Sequence, residues 1–210
     1  MRRWGFAPFC AACPAHHAVV ASLARTLGFM NTLRASCCIL EPQVEAHATE
    51  MFEVLSDPAI YEFERVPPPS VRLAAGYRLL EARTSLDGRE HWLNWVVRLP
   101  NQELAGYVQA TVMESGASYI AYEFASRYWR QGVGSASVAA MLEELAISYK
   151  VHTFVAVLKR ENYRSMGLLR RIGFEHAMPQ DAQRYDAEQD ELVMIKHAPI
   201  QTNYANSAAP

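Results

Sequence analysis

Trp129-Arg130-Gln131-Gly132-Val133-Gly134-Ser135-Ala136 decides how this chain is read. It follows a strand-like run, Tyr119 to Phe124, and opens a strongly periodic stretch from Ser135 to about Tyr149. A strand, a turn with two glycines and a helix N-terminus form a site suited to a phosphate. The glycines let backbone approach a ligand closely. The unpaired amides of the first helical turn point outward, and the helix dipole favours negative charge there. The amides of Gln131, Gly132, Val133, Gly134, Ser135 and Ala136 are therefore the expected binding groups for a phosphate-bearing cofactor.

What the stretch lacks narrows the cofactor. A Walker loop needs Lys-Ser/Thr after its last glycine, and here Ser135-Ala136 follows Gly134. A dinucleotide fingerprint needs three glycines, and Ser137 stands where the third would be. A nucleotide-binding domain is thus disfavoured, and a plain glycine turn stays open on spacing alone.

A second segment lies further on. Asn162, Ser165, Leu168, Leu169, Ile172, Gly173 and Phe174 fall in the register N-x-x-S-x-x-L-L-x-x-I-G-F. This reads as a short helix capped by Asn162 and stopped at Gly173. Together the two segments resemble the GNAT superfamily of acyl-CoA-dependent N-acetyltransferases, with the Rim-type branch the nearest match. Gly132 and Gly134 occupy the glycine positions of that family's R/Q-x-x-G-x-G/A loop, and Trp129 departs from its first position. Ala121-Tyr122-Glu123-Phe124-Ala125 resembles the branch's strand into the loop. Leu55-Ser56-Asp57-Pro58 resembles the end of its first helix. The resemblance spans residues 31–198, flanked by an N-terminal extension (1–30) and a flexible tail (199–210).

The resemblance implies an α+β fold, with a mixed, splayed β-sheet flanked by helices on both faces. It implies acetyl-CoA as cosubstrate and no metal. Its pantetheine arm would add strand-like beside Phe124-Ala125-Ser126, as a peptide does in strand addition, and Asn162 would hydrogen-bond that arm. Ser165 matches the family's hydroxyl near the CoA sulfur, where it can assist the leaving thiolate. The acceptor would be an amine, on a small molecule or a protein N-terminus, and a homodimer is compatible with the family.

Each role has a structural counterpart. Asn162 serves equally as a helix cap, and Ser165 as a first-turn serine bonded to local backbone. Glu123, beside the strand opening, is the expected general base. If it faces solvent or an ion pair, it is only structural. The glutamate that some Rim-type enzymes carry beyond the G-F dipeptide does not transfer, because Gln183 and Arg184 stand there. Direct attack by an amine needs no acyl-enzyme: holding two substrates in register supplies roughly 7–11 kcal/mol. No Ser-His-Asp or Cys-His arrangement is evident. A catalytically silent GNAT-like module that binds acyl-CoA or peptide is the alternative reading.

Composition agrees with one domain. The chain has 210 residues, 50% of them hydrophobic, ample for a single packed core. Twenty Lys and Arg against 22 Asp and Glu leave no basic excess for nucleic acid, and no apolar run reaches a membrane span. The close pairs Cys10/Cys13 and Cys37/Cys38 do not resemble a disulfide framework, which favours a cytoplasmic setting.

Residues 1–29 contain no acid. Pro8, Pro14 and His16-His17 break the apolar stretch, against a signal peptide. Met30 is the expected natural start, with a native extension or a targeting segment as alternatives. The Cys and His of Cys10 to His17 lie too close in sequence to surround a zinc ion.

Periodicity supplies the elements. Leu33 to Leu40 is expected to be a strand ended by Pro42, with Cys37-Cys38 packed within it. Val44 to Leu55 reads as a helix broken by Asp57-Pro58. Pro67-Pro68-Pro69 is extended, and Ser70 caps a helix from Val71 to about Thr84. Ser85-Leu86-Asp87-Gly88 is a turn. Trp92 to Leu99 and Glu103 to Met113 form a hairpin, with Trp92, Trp95 and Tyr107 in the core. His152 to Leu158, Phe174 to Met178 and Glu191 to Lys196 are further strands. His152 and His176 are expected to be structural. Glu45, Glu50, Glu53, Asp57, Glu62 and Glu64 read as a solvated face, with attraction of a cationic amine as the alternative.

Overall fold

The computed structural model describes residues 30–63, 83–85, 87–185 and 187–199. The leader with its Cys/His cluster, the Pro67–Pro69 segment, the helix expected from Val71, Leu86, Glu64 and the tail from residue 200 lie outside the described residues.

One mixed sheet of 8 strands organises the chain, in the order β1-β2-β3-β4-β5-β6-β8-β7. The strands are β1 (Leu33–Arg34), β2 (Ile39–Pro42), β3 (Glu90–Arg98), β4 (Leu104–Met113), β5 (Ala117–Phe124), β6 (Thr153–Lys159), β7 (Glu175–His176) and β8 (Glu191–His197). The helices are α1 (Ala48–Leu55), α2 (Val133–Ser148), α3 (Tyr163–Arg171) and α4 (Pro179–Arg184). All pairings are antiparallel except β5 with β6, which α2 joins. Parallel neighbours need such a crossover.

The strand expected over Leu33 to Leu40 is instead a hairpin. Leu33 pairs with Leu40 across β1 and β2, and the Ala35 amide donates to the Cys38 carbonyl at 2.9 Å. Folding back lets Leu33 and Leu40 both enter the core, which a straight strand would not do. Cys38 therefore leaves the turn toward α2, where its Sγ lies 3.3 Å from the buried Ser137 hydroxyl. Phe174 to Met178 yields only the two-residue β7. Its start is set by a Schellman end to α3: Gly173 is left-handed (φ 88°), Phe174 N–H donates to Leu169 and Gly173 N–H to Arg170. The remaining strands lie within two residues of expectation, and the helix expected from Ser135 starts at Val133.

The two sheet faces carry different layers. On one, α2 buries Val138, Met141, Leu142 and Leu145, and α3 buries Leu169, against Trp95, Val108, Phe124, Phe154 and Ala156. On the other, α1 packs Met51, Val54 and Leu55 against Val96, Leu104 and Ala125. Trp95 is fully buried, as expected, whereas Trp92 and Tyr107 are only half-buried. Strand alternation thus assigns each residue of β5 a layer: Tyr122 and Phe124 face α2 and α3, and Glu123 faces the α1 side.

Candidate active site

β5 and β6 pair only from Ala117↔Thr153 to Tyr119↔Val155, although β5 continues to Phe124 and β6 to Lys159. Beyond Tyr119 each strand stays bonded to its outer neighbour, β4 or β8. The sheet therefore opens into a V, and the inner edge of β5 meets no strand there among the described residues. Gly106 on β4 sets the outer side of the opening. A Cβ at Gly106 would sit 2.0 Å from the Glu123 carbonyl oxygen and 2.8 Å from the Phe124 Cα. Only glycine lets β4 follow β5 so closely where β5 bends away.

The loop after β5 lies at the open end of the V. Gly132 has φ 85° and Arg130 φ 60°, so two left-handed residues turn the chain into α2. Successive amides in such a turn point into one concavity. No side chain caps α2, and no acid occupies its first turn. The amides of Gln131, Gly132, Val133, Gly134 and Ser135 donate to no group among the described residues. The Ala136 amide is different: it makes the first intrahelical bond, to the Gly132 carbonyl at 2.9 Å, and is not available to a ligand. Gly134 has a packing reason as well. A Cβ there would meet Leu168 Cδ1 at 2.8 Å and Phe124 Cε2 at 3.3 Å, so its absence lets α2 start against α3 and β5.

Trp129, which departs from the family pattern, fastens this loop. Its Nε1–H donates to the Phe124 carbonyl at 2.7 Å, and the Arg164 guanidinium lies 4.4 Å over its ring. Arg164 also pairs with Glu62. One cation thereby links the loop, α3 and the 3-10 turn Pro58–Glu62.

The expected strand-like contact at Phe124-Ala125-Ser126 needs correction for two of its residues. The Ala125 amide donates to the Ala105 carbonyl, the Ala125 carbonyl accepts from Tyr128, and the Ser126 amide donates to Asp57 Oδ2 at 2.6 Å. The chain leaves the strand after Phe124 and spends these groups on its own 3-10 turn, Ser126–Tyr128. A strand-like partner finds open backbone edge only at the Phe124 amide and upstream, because the Phe124 carbonyl already accepts from Trp129.

Asp57 is therefore an internal anchor. Its other oxygen accepts from the Ala59 amide at 3.0 Å. Burial disfavours its charge, but the bonds from Ser126 and Ala59 and the nearby Arg127 outweigh burial and hold the carboxyl below its usual range. Its folded pKa is depressed, so its contribution is present above the ordinary carboxylate range and is lost as pH falls through the folded value. Asp57→Ala is expected to cost about 1–3 kcal/mol at pH 7 and less at pH 3, as read by denaturant unfolding. An equal cost at both values would exclude the charged anchor.

Other acids are similarly engaged. Glu50 accepts from the Leu104 amide at 2.9 Å and pairs with Arg98, which also binds Glu41. With Glu62 on Arg164, these side chains stabilise the α1 layer. His152 bonds the Ser115 carbonyl and Thr153, and His176 meets Arg170.

At the head of α3, Asn162 Oδ1 accepts the Ser165 amide at 3.0 Å, which establishes the cap. Its NH2 group points no bond at the described residues. The Ser165 hydroxyl lies 2.7 Å from the Tyr122 hydroxyl. The structure thus brings Ser165, Asn162, Phe124 and the 131–135 loop to one side of the V. Glu123, half-buried, is on the opposite face of β5. Sequence reading missed Gly106, Tyr122 and Arg164. Of these only Gly106 carried a local signal, as a lone glycine within a β-rich run.

A sheet opened between its two parallel strands, above an uncapped helix N-terminus, is the architecture of an acyl-CoA-binding transferase. A family model described as an acetyltransferase (GNAT) domain matches residues 38–175, and the chain belongs to that family. It is an acetyl-CoA-dependent acyltransferase. Among curated proteins no sequence matches it. Several solved structures share the fold. RimL, a ribosomal L7/L12 alpha-N-protein acetyltransferase in complex with coenzyme A, is 18% identical, with a TM-score of 0.65 over 80% of this chain and 98% of that one. RimJ from Mycobacterium smegmatis, in complex with CoA-disulfide, is 21% identical, with a TM-score of 0.63 over 81% and 89%. The microcin C7 self-immunity acetyltransferase MccE, in complex with acetyl-CoA and AMP, is 14% identical, with a TM-score of 0.63 over 78% and 93%. No helix among the described residues is long and apolar enough to cross a membrane.

Proposed function

We propose that this protein transfers the acetyl group of acetyl-CoA to a primary amine by direct attack in a ternary complex. The observation that carries the proposal is the V between β5 and β6, with the unspent amides of Gln131–Ser135 at its open end. Those amides take the pyrophosphate. The pantetheine arm runs along the open edge of β5 up to Phe124, where its amides meet backbone as an added strand would. The Asn162 NH2 group donates to the arm while Oδ1 keeps its cap.

This placement leaves the thioester in the V, between the two faces of β5. Ser165 lies on the α3 side, where it donates to the leaving thiolate. Glu123 lies on the α1 side, where it takes the ammonium proton directly or through water. The amine then forms the C–N bond, the C–S bond breaks with its electron pair staying on sulfur, and the nitrogen gives up its remaining extra proton to solvent to leave the neutral amide. The hydrogen-bond donor to the leaving sulfur and the base for the incoming amine thus act from opposite sides of one strand.

The acceptor approaches from the α1 side. RimL acts on a protein N-terminus and favours that acceptor class here. MccE, a microcin C7 self-immunity acetyltransferase in complex with acetyl-CoA and AMP, is a reason to include small molecules in the amine panel. The catalytic unit spans residues 31–198, and dependence on acetyl-CoA favours a cytoplasmic setting.

The test is thermal unfolding with acetyl-CoA and CoA, against NAD and ATP, followed by thiol release with peptides and small amines. A ligand at about 100 times its dissociation constant should stabilise by about 2.7 kcal/mol. Stabilisation by acetyl-CoA and CoA alone, with amine-dependent thiol release, is expected. Equal stabilisation by NAD or ATP would overturn the cofactor assignment. Binding without release from any amine would leave an acyl-CoA-binding module.

A further inference from the structure

We infer that Tyr122 is a positioning residue for the leaving-group step, acting through Ser165. The inference rests on the role proposed above for Ser165 and assigns it a partner. Tyr122 lies on the part of β5 beyond Tyr119, where pairing with β6 has ceased, and faces the α3 layer. Its hydroxyl is 2.7 Å from the Ser165 hydroxyl and 3.3 Å from the Ser165 carbonyl. Its ring is braced by Phe124, with centroids 6.1 Å apart and planes tilted by 39°.

The direction of the contact matters. A serine in a first helical turn ordinarily turns its hydroxyl to nearby backbone. Ser165 makes no such bond among the described residues; its hydroxyl partner is Tyr122. Burial drives the Tyr122 phenol well above its ordinary range, only partly opposed by Ser165. Tyr122 therefore stays protonated at neutral pH, with one proton to give; either hydroxyl can donate across the 2.7 Å contact, and the role proposed for Ser165 requires that Tyr122 donate there rather than to the Ser165 carbonyl at 3.3 Å. With Tyr122 donating to Oγ, the Ser165 proton is left to point into the V. Serial donation also polarises the second hydroxyl and strengthens its bond to an anion.

No net proton leaves the pair. As C–S breaks, sulfur keeps the electron pair and accepts a hydrogen bond from Ser165, which accepts one from Tyr122. The thiolate takes its proton from solvent on release. The pair lowers the energy of the thiolate without acting as a proton source.

The experiment titrates the thiol of bound CoA by thiolate absorbance in the wild type, Tyr122→Phe, Ser165→Ala and the double variant, with thiol release to hydroxylamine measured alongside. Tyr122→Phe keeps the ring and its packing, so its CoA affinity should match the wild type and its melting temperature should fall by no more than about 2–4 °C for the lost hydrogen bond. Its bound thiol is expected to titrate higher, and kcat to fall about two- to tenfold with KM for acetyl-CoA unchanged. In the Ser165→Ala background the same change should do nothing further. If Ser165→Ala alone leaves thiol titration and kcat unchanged, the Ser165 assignment fails and takes this inference with it. If Ser165→Ala shifts both but Tyr122→Phe shifts neither, or shifts them equally in both backgrounds, only the Tyr122 inference is overturned.

Discussion

Gly106→Ala is expected to lower the stability of the protein by about 3 kcal/mol, the upper end for one added methyl group in a packed site. The reason is what the methyl would strike. Its nearest neighbours are backbone atoms, the Glu123 carbonyl oxygen at 2.0 Å and the Phe124 Cα at 2.8 Å. A flexible side chain could yield by changing rotamer, but these atoms belong to a strand bonded along β4. Either the two strands part or β5 shifts toward β6. The first loses ladder hydrogen bonds, and the second narrows the V in which acetyl-CoA is proposed to lie. Both outcomes reduce stability and cofactor affinity together. For a chain of this size the melting temperature should fall by about 6–12 °C.

Gly167→Ala provides the contrast of sign. Gly167 lies within α3, and a Cβ there meets nothing within 4 Å. Removing a glycine from a helix interior without a clash should stabilise by about 0.5–1 kcal/mol. If Gly106→Ala unfolded at the wild-type temperature, the close approach of β4 to β5 would not be what fixes the opening.

These two glycines also show what sequence can and cannot convey here. The loop at Gly132 and the α3 cap at Asn162 were legible because both are local. A left-handed turn and an N-cap are each specified by residues within four positions of one another, and the structure places both as expected. The fold class followed because a strand, a crossover helix and a strand in succession leave few ways to build a sheet. What escaped depends on partners distant in sequence. Tyr122 reads as an ordinary strand aromatic until α3 brings Ser165 against it, 43 positions on. Ser126 reads as a free strand end until Asp57, 69 positions earlier, claims its amide. The Leu33 to Leu40 run alternates well enough for one strand. Only the demand that both ends reach the same core folds it into a hairpin.

Ser135→Asp is expected to change stability and acetyl-CoA affinity in opposite directions. Ser135 is the third residue of α2, half-exposed, in a first turn that has no acid and no side-chain cap. A carboxylate there complements the helix dipole and the unspent amides, and should stabilise the free protein by about 0.3–1 kcal/mol. The same carboxylate would compete with a pyrophosphate for those amides and repel it. Two unit charges about 4 Å apart repel by about 4 kcal/mol at a surface-like effective dielectric. Allowing for solvent screening, one- to two-thirds of this survives, a loss of about 10- to 100-fold in affinity. Ser135→Asn adds the same bulk without charge and should bind almost as the wild type does. The deficit of the Ser135→Asp variant should shrink as salt is raised. Position 135 is the informative place for the charge. At Gly134 any side chain would first meet Leu168 and Phe124, and a loss of binding could be blamed on displaced helices. A Ser135→Asp variant that melts higher yet binds acetyl-CoA undiminished would show that the pyrophosphate does not rest on this helix terminus. The V would then have to hold the cofactor by its pantetheine arm alone.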